Sequence, residues 1–219
     1  MNRQRSEHAL PGVVLAAGQG TRFQGGYKLL MPFRGHAIIY HAVKAMVDAQ
    51  LDPILMVLGF EHENLLKAVD ELRDHHKLQI VHNERWQTGR ASSVRVALEH
   101  LPKDAPGVLF LPGDMPLMTS ALIDRVTQHF LQTGKLCFPL CRGQKGHPTV
   151  FPGGLLTKLQ ELPGDLSGLT VVKAHWDEAE KLLLADKEEI TQLDLDTDAD
   201  YARLKTLDTM SYEIRKFDG

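Results

Sequence analysis

The sequence predicts a Rossmann-like, doubly wound α/β fold: a mostly parallel sheet between two helical layers, in three-layer αβα order. Three observations carry the prediction. Apolar runs of strand length alternate with amphipathic helical segments over most of the chain, a glycine-rich turn follows the first run directly, and a Gly-Asp pair follows the fourth. Both turns matter, because open parallel sheets bind ligands beyond the carboxyl ends of their strands.

Residues 13–17 form the first apolar run, and 37–50 place apolar side chains at helical spacing. The same reading makes 53–59 a strand, 61–74 a helix, 78–81 a short strand and 90–101 a helix. Strand 107–111, helix 120–133 and strand 136–140 continue the alternation. The rhythm then changes. Residues 141–151 hold Gly143, Gly146 and Pro148, and read as a turn-rich excursion beside the sheet. Helices over 154–162 and 167–175 follow, then strands 181–185 and 190–195 and a last helix over 199–207. One domain over 1–208 is expected, divided into halves at 11–135 and 136–208, with 209–219 a disordered tail.

Length and composition fit this picture. A chain of 219 residues with 43% hydrophobic and 24% charged residues can bury a sizeable core without staples. A net charge of −3 gives no electrostatic reason to expect nucleic acid or an anionic membrane as partner. The two cysteines, Cys137 and Cys141, read as free thiols of a reducing compartment. The polar start MNRQRSEHALPG lacks a signal-peptide core, and no run approaches the roughly 20 apolar residues of a membrane span. A cytoplasmic location is expected.

The first strand runs into Leu15-Ala16-Ala17-Gly18-Gln19-Gly20-Thr21-Arg22, with Lys28 beyond. Gly18 and Gly20 let successive backbone N–H groups approach phosphate. Arg22 offers a two-pronged donor and Lys28 a compact charge, both suited to the charge that builds during phosphoryl transfer. The spacing fits neither a Walker loop nor a dinucleotide fingerprint. A plain glycine turn is the bland alternative. After the fourth strand, Gly113 permits close approach and Asp114 faces the same crevice. Mg²⁺ favours such hard oxygen ligands, although Asp114 read alone also suits a helix cap. Further on, Asp194 and Asp196 project to one face if 192–196 is extended, and a shared cation would relieve their repulsion. Either one is the candidate second metal ligand; Thr197 or Asp198 reads as the cap of the last helix.

These motifs carry a family resemblance. The run LAAGQGTRF with Lys28 resembles the signature loop of the NTP-transferase superfamily, and Gly113-Asp114-Met115-Pro116 resembles its G-D-x-P element. The likeness implies the fold of nucleotide-diphospho-sugar transferases, with Leu15, Ala16, Ala17, Gly18, Gly20, Thr21 and Gly113 around a nucleoside triphosphate. It implies phosphate contacts from Arg22 and Lys28 and Mg²⁺ on Asp114. The spacing from Arg22 to Lys28 is one residue longer than the commonest pattern. Asp194-Leu195-Asp196-Thr197, the segment from Asn83 through Trp86 and Gly89 to Ser93, Gly146-His147-Pro148 and Gly164-Asp165 resemble the molybdenum cofactor nucleotidyltransferase branch. Asp198-Ala199 stands where that branch has Pro-Glu, and Leu169 where it has a basic residue.

The branch implies nucleotide contacts from Asn83, Gly89 and Ser93, with Asn83 a reader of a base edge, and acceptor contacts from His147 and Asp165. On this likeness 11–135 is the nucleotide-binding half and 136–208 the acceptor side. Ala17 favours CTP as donor. The acceptor implied is molybdopterin or its molybdenum form, with a molybdenum hydroxylase as a downstream partner. Trp86 and His147 read equally as packing residues. Two rivals stand beside this expectation: a sugar- or polyol-phosphate nucleotidyltransferase, and a non-catalytic accessory protein that carries the cofactor.

Overall fold

The computed structural model describes residues 9–20 and 26–217. Its first strand, β1 (Leu10–Ala16), is almost wholly buried, as a central parallel strand covered on both faces must be. After a short β2 (Pro32–Phe33) and β3 (His36–Ala37) hairpin comes α1 (Ile38–Asp48), whose apolar face packs on the sheet. Next stand β4 (Leu51–Leu58), α2 (His62–Ala68), α3 (Asp70–Arg73), β5 (Leu78–His82) and α4 (Arg90–Glu99). The expected single helix over 61–74 is broken at Val69, which leaves helical geometry at φ −116° and is fully buried.

The sequence continues through β6 (Gly107–Pro112), α5 (Ser120–Thr133) and β7 (Cys137–Cys141). Helix α5 matches its expected span, because Thr119 accepts a bond from the Leu122 N–H at one end and Gly134 closes the other at φ +66°. The turn-rich excursion then holds two strands that its glycines and prolines hid: β8 (Gln144–Lys145) and β9 (Thr149–Pro152). Helices α6 (Gly153–Gln160) and α7 (Gly168–Ala174), strand β10 (Glu180–Leu183) and α8 (Asp198–Phe217) complete the chain. Residues 190–195, read as a strand, form instead the end of a 3₁₀ stretch over Asp186–Gln192 and an extended link. The last helix was expected to end at 207 and runs on to Phe217.

The main sheet has the order β10-β7-β9-β6-β1-β4-β5, with β8 on β7. Pairing is parallel except around β9 and β8. Strand β9 runs antiparallel to both β6 and β7, so its first residue, Thr149, pairs with Phe110 near the carboxyl end of β6. The turn that precedes β9 therefore reaches the rim where β1 and β6 end. Alternate faces of the sheet feed two cores. One includes Val14, Ile38, Met46, Leu109 and Phe130; the other includes Val13, Leu55, Phe110, Phe138 and Phe151. Among the described residues no helix is long and apolar enough to cross a membrane.

Candidate active site

At the rim, the end of β1 and the end of β6 are tied together by the Gly113 N–H, which donates to the Leu15 carbonyl at 2.9 Å. The junction is tight: a Cβ on Gly113 would stand 2.7 Å from the end of the Ile39 side chain and 3.3 Å from the Leu15 carbonyl oxygen, so a larger residue needs Ile39 to shift. The next residue, Asp114, receives a second strap, for its carbonyl accepts a bond from the Leu195 N–H at 3.3 Å. That bond brings the link carrying Asp194 and Asp196 beside β6.

Lys28 lies across this junction. Its Nζ is 2.5 Å from Asp114 Oδ2 and 3.3 Å from Asp196 Oδ1, and its aliphatic stem runs against Gly20. Burial works against the lysine charge, but Asp114 and then Asp196 outweigh it and raise the pKa above the ordinary lysine value. Burial, and next the carboxylates of Asp114 and Asp196, raise the pKa of Asp194. Three carboxylates thus share one field around one ammonium group.

The three aspartates do not form a ready-made ligand cage. Among the described residues no group of three or more His, Cys, Asp or Glu side chains is arranged to hold a metal ion. The physical reason is the lysine: in the folded chain its ammonium draws Asp114 and Asp196 toward itself. One atom departs from this local balance. Asp114 Oδ1 is buried without a hydrogen-bond partner among the described residues, a costly state for a carboxylate oxygen.

The remaining residues singled out from sequence fall in several places. Leu15, Ala16, Ala17, Gly18 and Gly20 line the exit from β1, while Thr21 and Arg22 lie outside the described residues. Asn83 is only 1% exposed; its amide donates to Ser92 Oγ at 2.8 Å and Ser93 Oγ at 3.0 Å, and its oxygen accepts from the Arg85 N–H. These bonds fasten the entrance of α4 from behind. Gly89, at φ +111°, is pressed against the Gly164–Asp165 peptide, and the Ala91 N–H donates to the Gly164 carbonyl at 3.1 Å. The helix entrance and the Gly164 turn are therefore one packed unit, with the Asp165 side chain exposed. Gln192 grips His147 twice, accepting from its N–H at 2.6 Å and donating to its carbonyl at 2.9 Å. Burial and then Lys145 hold the His147 imidazole well below the usual pKa, hence neutral. Thr197 caps α8, and Asp200 returns a bond to the Thr197 N–H at 2.8 Å, so the link carrying Asp196 ends in a reciprocal cap.

Sequence reasoning missed Tyr27. Its phenol donates to the Gly18 carbonyl at 3.0 Å and lies 3.4 Å from the Ala16 carbonyl. Its ring meets Phe60 edge-on at 5.2 Å, and Phe60 meets Trp86 at 5.4 Å. Burial, then Glu61 and Asp114, push the phenol pKa up, so it remains a donor. The available signal was its place directly before Lys28.

A family model described as the MobA-like NTP transferase domain matches residues 12–179. The chain belongs to that family. The matched span holds the β1 exit, Lys28, Asp114 and the His147 turn, and stops before Asp194. Among curated relatives, the bifunctional protein GlmU of Agrobacterium fabrum is 32% identical over 123 residues, covering 56% of this chain and 26% of that protein. GlmU of Mycobacterium marinum is 33% identical over 122 residues, 53% of this chain and 25% of that one. The chain thus spans about a quarter of the length of these relatives. Among solved structures, the homologue of Rv0371c from Mycobacterium sp. strain JC1 superposes with a TM-score of 0.77 at 24% identity, over 92% of this chain and 98% of that one. Rv0371c of Mycobacterium tuberculosis in complex with manganese gives 0.71 at 26%, over 90% and 97%. These likenesses agree with the mixed, mostly parallel sheet flanked by helices.

Proposed function

We propose that this MobA-like domain transfers a nucleoside monophosphate from an NTP to a phosphorylated small molecule and releases pyrophosphate. One observation carries the reading: Lys28 lies between Asp114 and Asp196 at the strand ends, beside a glycine loop where, among the described residues, no atom lies within 4 Å of the place a side chain on Gly18 would take. The orphaned Asp114 Oδ1 fits a hard divalent cation, and Asp194 and Asp196 are the further carboxylates within its field. The manganese complex of Rv0371c supports a divalent metal in this role, and Mg²⁺ is the ion proposed here. Such an ion, when bound, neutralises phosphate charge and so favours attack at the α-phosphorus.

The residues of the chain do the rest. Loop N–H groups after β1 seat the triphosphate, with Arg22 and Lys28 supplying positive charge; Lys28 exchanges its carboxylate partners for phosphate oxygens. The acceptor phosphate, already anionic near neutral pH, attacks in line and needs little help from a base. Positioning and charge neutralisation supply the rate. CTP is the proposed donor on the strength of Ala17, and molybdopterin the proposed acceptor on the MobA-like family match and the Gly-His-Pro turn. The GlmU relatives favour a second reading, in which the acceptor is a sugar phosphate.

The test is pyrophosphate release from CTP, GTP, UTP and ATP with Mg²⁺ or Mn²⁺, each offered molybdopterin or a panel of sugar 1-phosphates. The expected result is turnover with CTP and molybdopterin, accompanied by a rise in melting temperature on adding CTP and metal, since ligands that bind only the folded state stabilise it. Turnover with a sugar 1-phosphate alone selects the second reading. No turnover and no nucleotide-dependent shift overturn both. Tyr27→Phe is expected to raise the KM for NTP about fivefold with kcat little changed, the loss of one hydrogen bond worth about 1 kcal/mol to the loop. Steady-state kinetics at varied NTP read this directly; an unchanged KM means that the loop keeps its shape without the phenol.

A further inference from the structure

In the proposed reaction the ammonium of Lys28 serves phosphate and the carboxylate of Asp114 serves a divalent cation. In the folded chain they serve each other instead. Nζ stands 2.5 Å from Asp114 Oδ2 and 3.3 Å from Asp196 Oδ1, and the Lys28 and Asp114 side chains are only 14% and 15% exposed. The other oxygen is shut off as well, since Asp114 Oδ1 is buried with no hydrogen-bond partner among the described residues. Mg²⁺ sheds its water reluctantly and needs room for the waters it keeps. A hydrated cation arriving from solvent therefore meets the lysine first, and has to replace it.

The lysine has another place to go. A Cβ built on Gly20 would stand 3.3 Å from Lys28 Cγ, 3.4 Å from Cε and 3.5 Å from Cδ, so the stem runs along the glycine loop before its tip reaches the carboxylates. That flexible four-carbon stem lets the tip turn back onto the loop, where the proposed reading seats the phosphates. With no polyanion there, the turn strands a mostly buried ammonium without a counter-charge, which is costly. With one, the ammonium trades carboxylate oxygen for phosphate oxygen. The carboxylates stay behind, because the Leu195 N–H straps the link carrying Asp196 to the Asp114 carbonyl at 3.3 Å.

We infer that Lys28 holds the place of the divalent cation in the nucleotide-free chain and admits the cation only when a polyphosphate draws the ammonium away. The inference rests on the assignment of Asp114 to that cation in the proposed transfer reaction. It fixes an order of binding: polyphosphate before the metal or together with it, and not the metal alone. Because such coupling is reciprocal, the cation in turn tightens the hold on the nucleotide.

The test uses the full chain and Mn²⁺ alone, read by loss of the free-ion electron paramagnetic resonance signal with no nucleotide present. Lys28→Met is expected to bind Mn²⁺ more tightly than the parent by about tenfold or more, a coupling of ordinary size. Lys28→Arg keeps a cation between the carboxylates and is expected to bind as weakly as the parent. Adding Asp114→Asn to Lys28→Met is expected to remove the gain, which places the ion on that carboxylate. Melting temperatures give a second reading: Mn²⁺ alone raises that of Lys28→Met and leaves that of the parent unchanged. A folded Lys28→Met that gains nothing overturns the inference. If Lys28→Met does not fold, the parent decides. Mn²⁺ binding by the parent that Asp114→Asn removes overturns the inference, whereas a parent whose melting temperature responds to Mn²⁺ only when inorganic triphosphate is present supports it. If Lys28→Met gains the ion while no NTP and acceptor pair reacts, the role of the lysine stands and the transfer reaction falls. If NTP turns over in a parent that binds Mn²⁺ alone at Asp114, the reaction stands and the inference falls.

Discussion

Asp114→Asn is expected to lower pyrophosphate release by on the order of 10³-fold while far-ultraviolet circular dichroism stays unchanged. The substitution keeps the shape of the side chain and removes the charge that Lys28 meets at 2.5 Å. It also converts the buried, unpartnered Oδ1 into an amide position, which cannot serve a hard cation as a carboxylate does. Lys28 retains Asp196 at 3.3 Å, so the lysine is not stranded and folding survives. The loss is expected to fall on kcat, since in the proposed reaction the carboxylate acts on charge that develops during transfer. A variant rate within tenfold of the parent rules Asp114 out of the chemistry.

Gly89→Ala should produce the largest loss of stability of any single methyl group added at the rim. The residue sits at φ +111° and ψ 167°, a region essentially closed to L side chains, which costs roughly 1–3 kcal/mol. The added Cβ would also stand 2.4 Å from the Gly164 carbonyl oxygen and 2.9 Å from the Asp165 nitrogen, both backbone atoms that yield only if the turn moves. Together these effects amount to about 3 kcal/mol or more, or a melting temperature lower by about 6–12 °C. Gly134→Ala is the control: at φ +66° it has nothing within 4 Å of its Cβ, so only the backbone cost of about 1 kcal/mol remains. Urea titrations of both variants give the comparison. Equal losses in the two would mean that the Gly164 turn moves aside freely.

The central strands and α5 were legible because their signals are local: buried apolar runs, a threonine cap and a glycine stop all lie within the segment they define. The two glycine turns were legible for the same reason. Strand β9 was not, since Pro148, Gly153 and the preceding glycines outweigh the apolar pair Val150-Phe151 until a partner strand exists to pair with them. Residues 190–195 read as a strand because Leu193 and Leu195 alternate with Gln192, Asp194 and Asp196; the acidic run Glu188–Glu189 of the preceding 3₁₀ stretch over Asp186–Gln192 was the overlooked sign. In the candidate site, residue types pointed to Lys28 and Asp114, but not to the lysine lying between two carboxylates, which depends on the Leu195–Asp114 strap across the sheet. Tyr27 escaped for a related reason: a single tyrosine becomes informative only when its burial and partners are known.

The reversed direction of β9 has a consequence for how such a molecule diversifies. Because that strand enters the sheet from the functional edge, the hairpin of residues 141–148 hangs there as an outer loop whose two roots are fixed by β7 and β9. On the proposed reaction, changes in its length or side chains are expected to alter what meets the acceptor, while the β1–β6 contact and its Gly113–Leu15 bond stay untouched. Under the proposed transfer reaction, the layout separates a constant donor apparatus from a replaceable fitting, so one scaffold could exchange customers without relearning its chemistry.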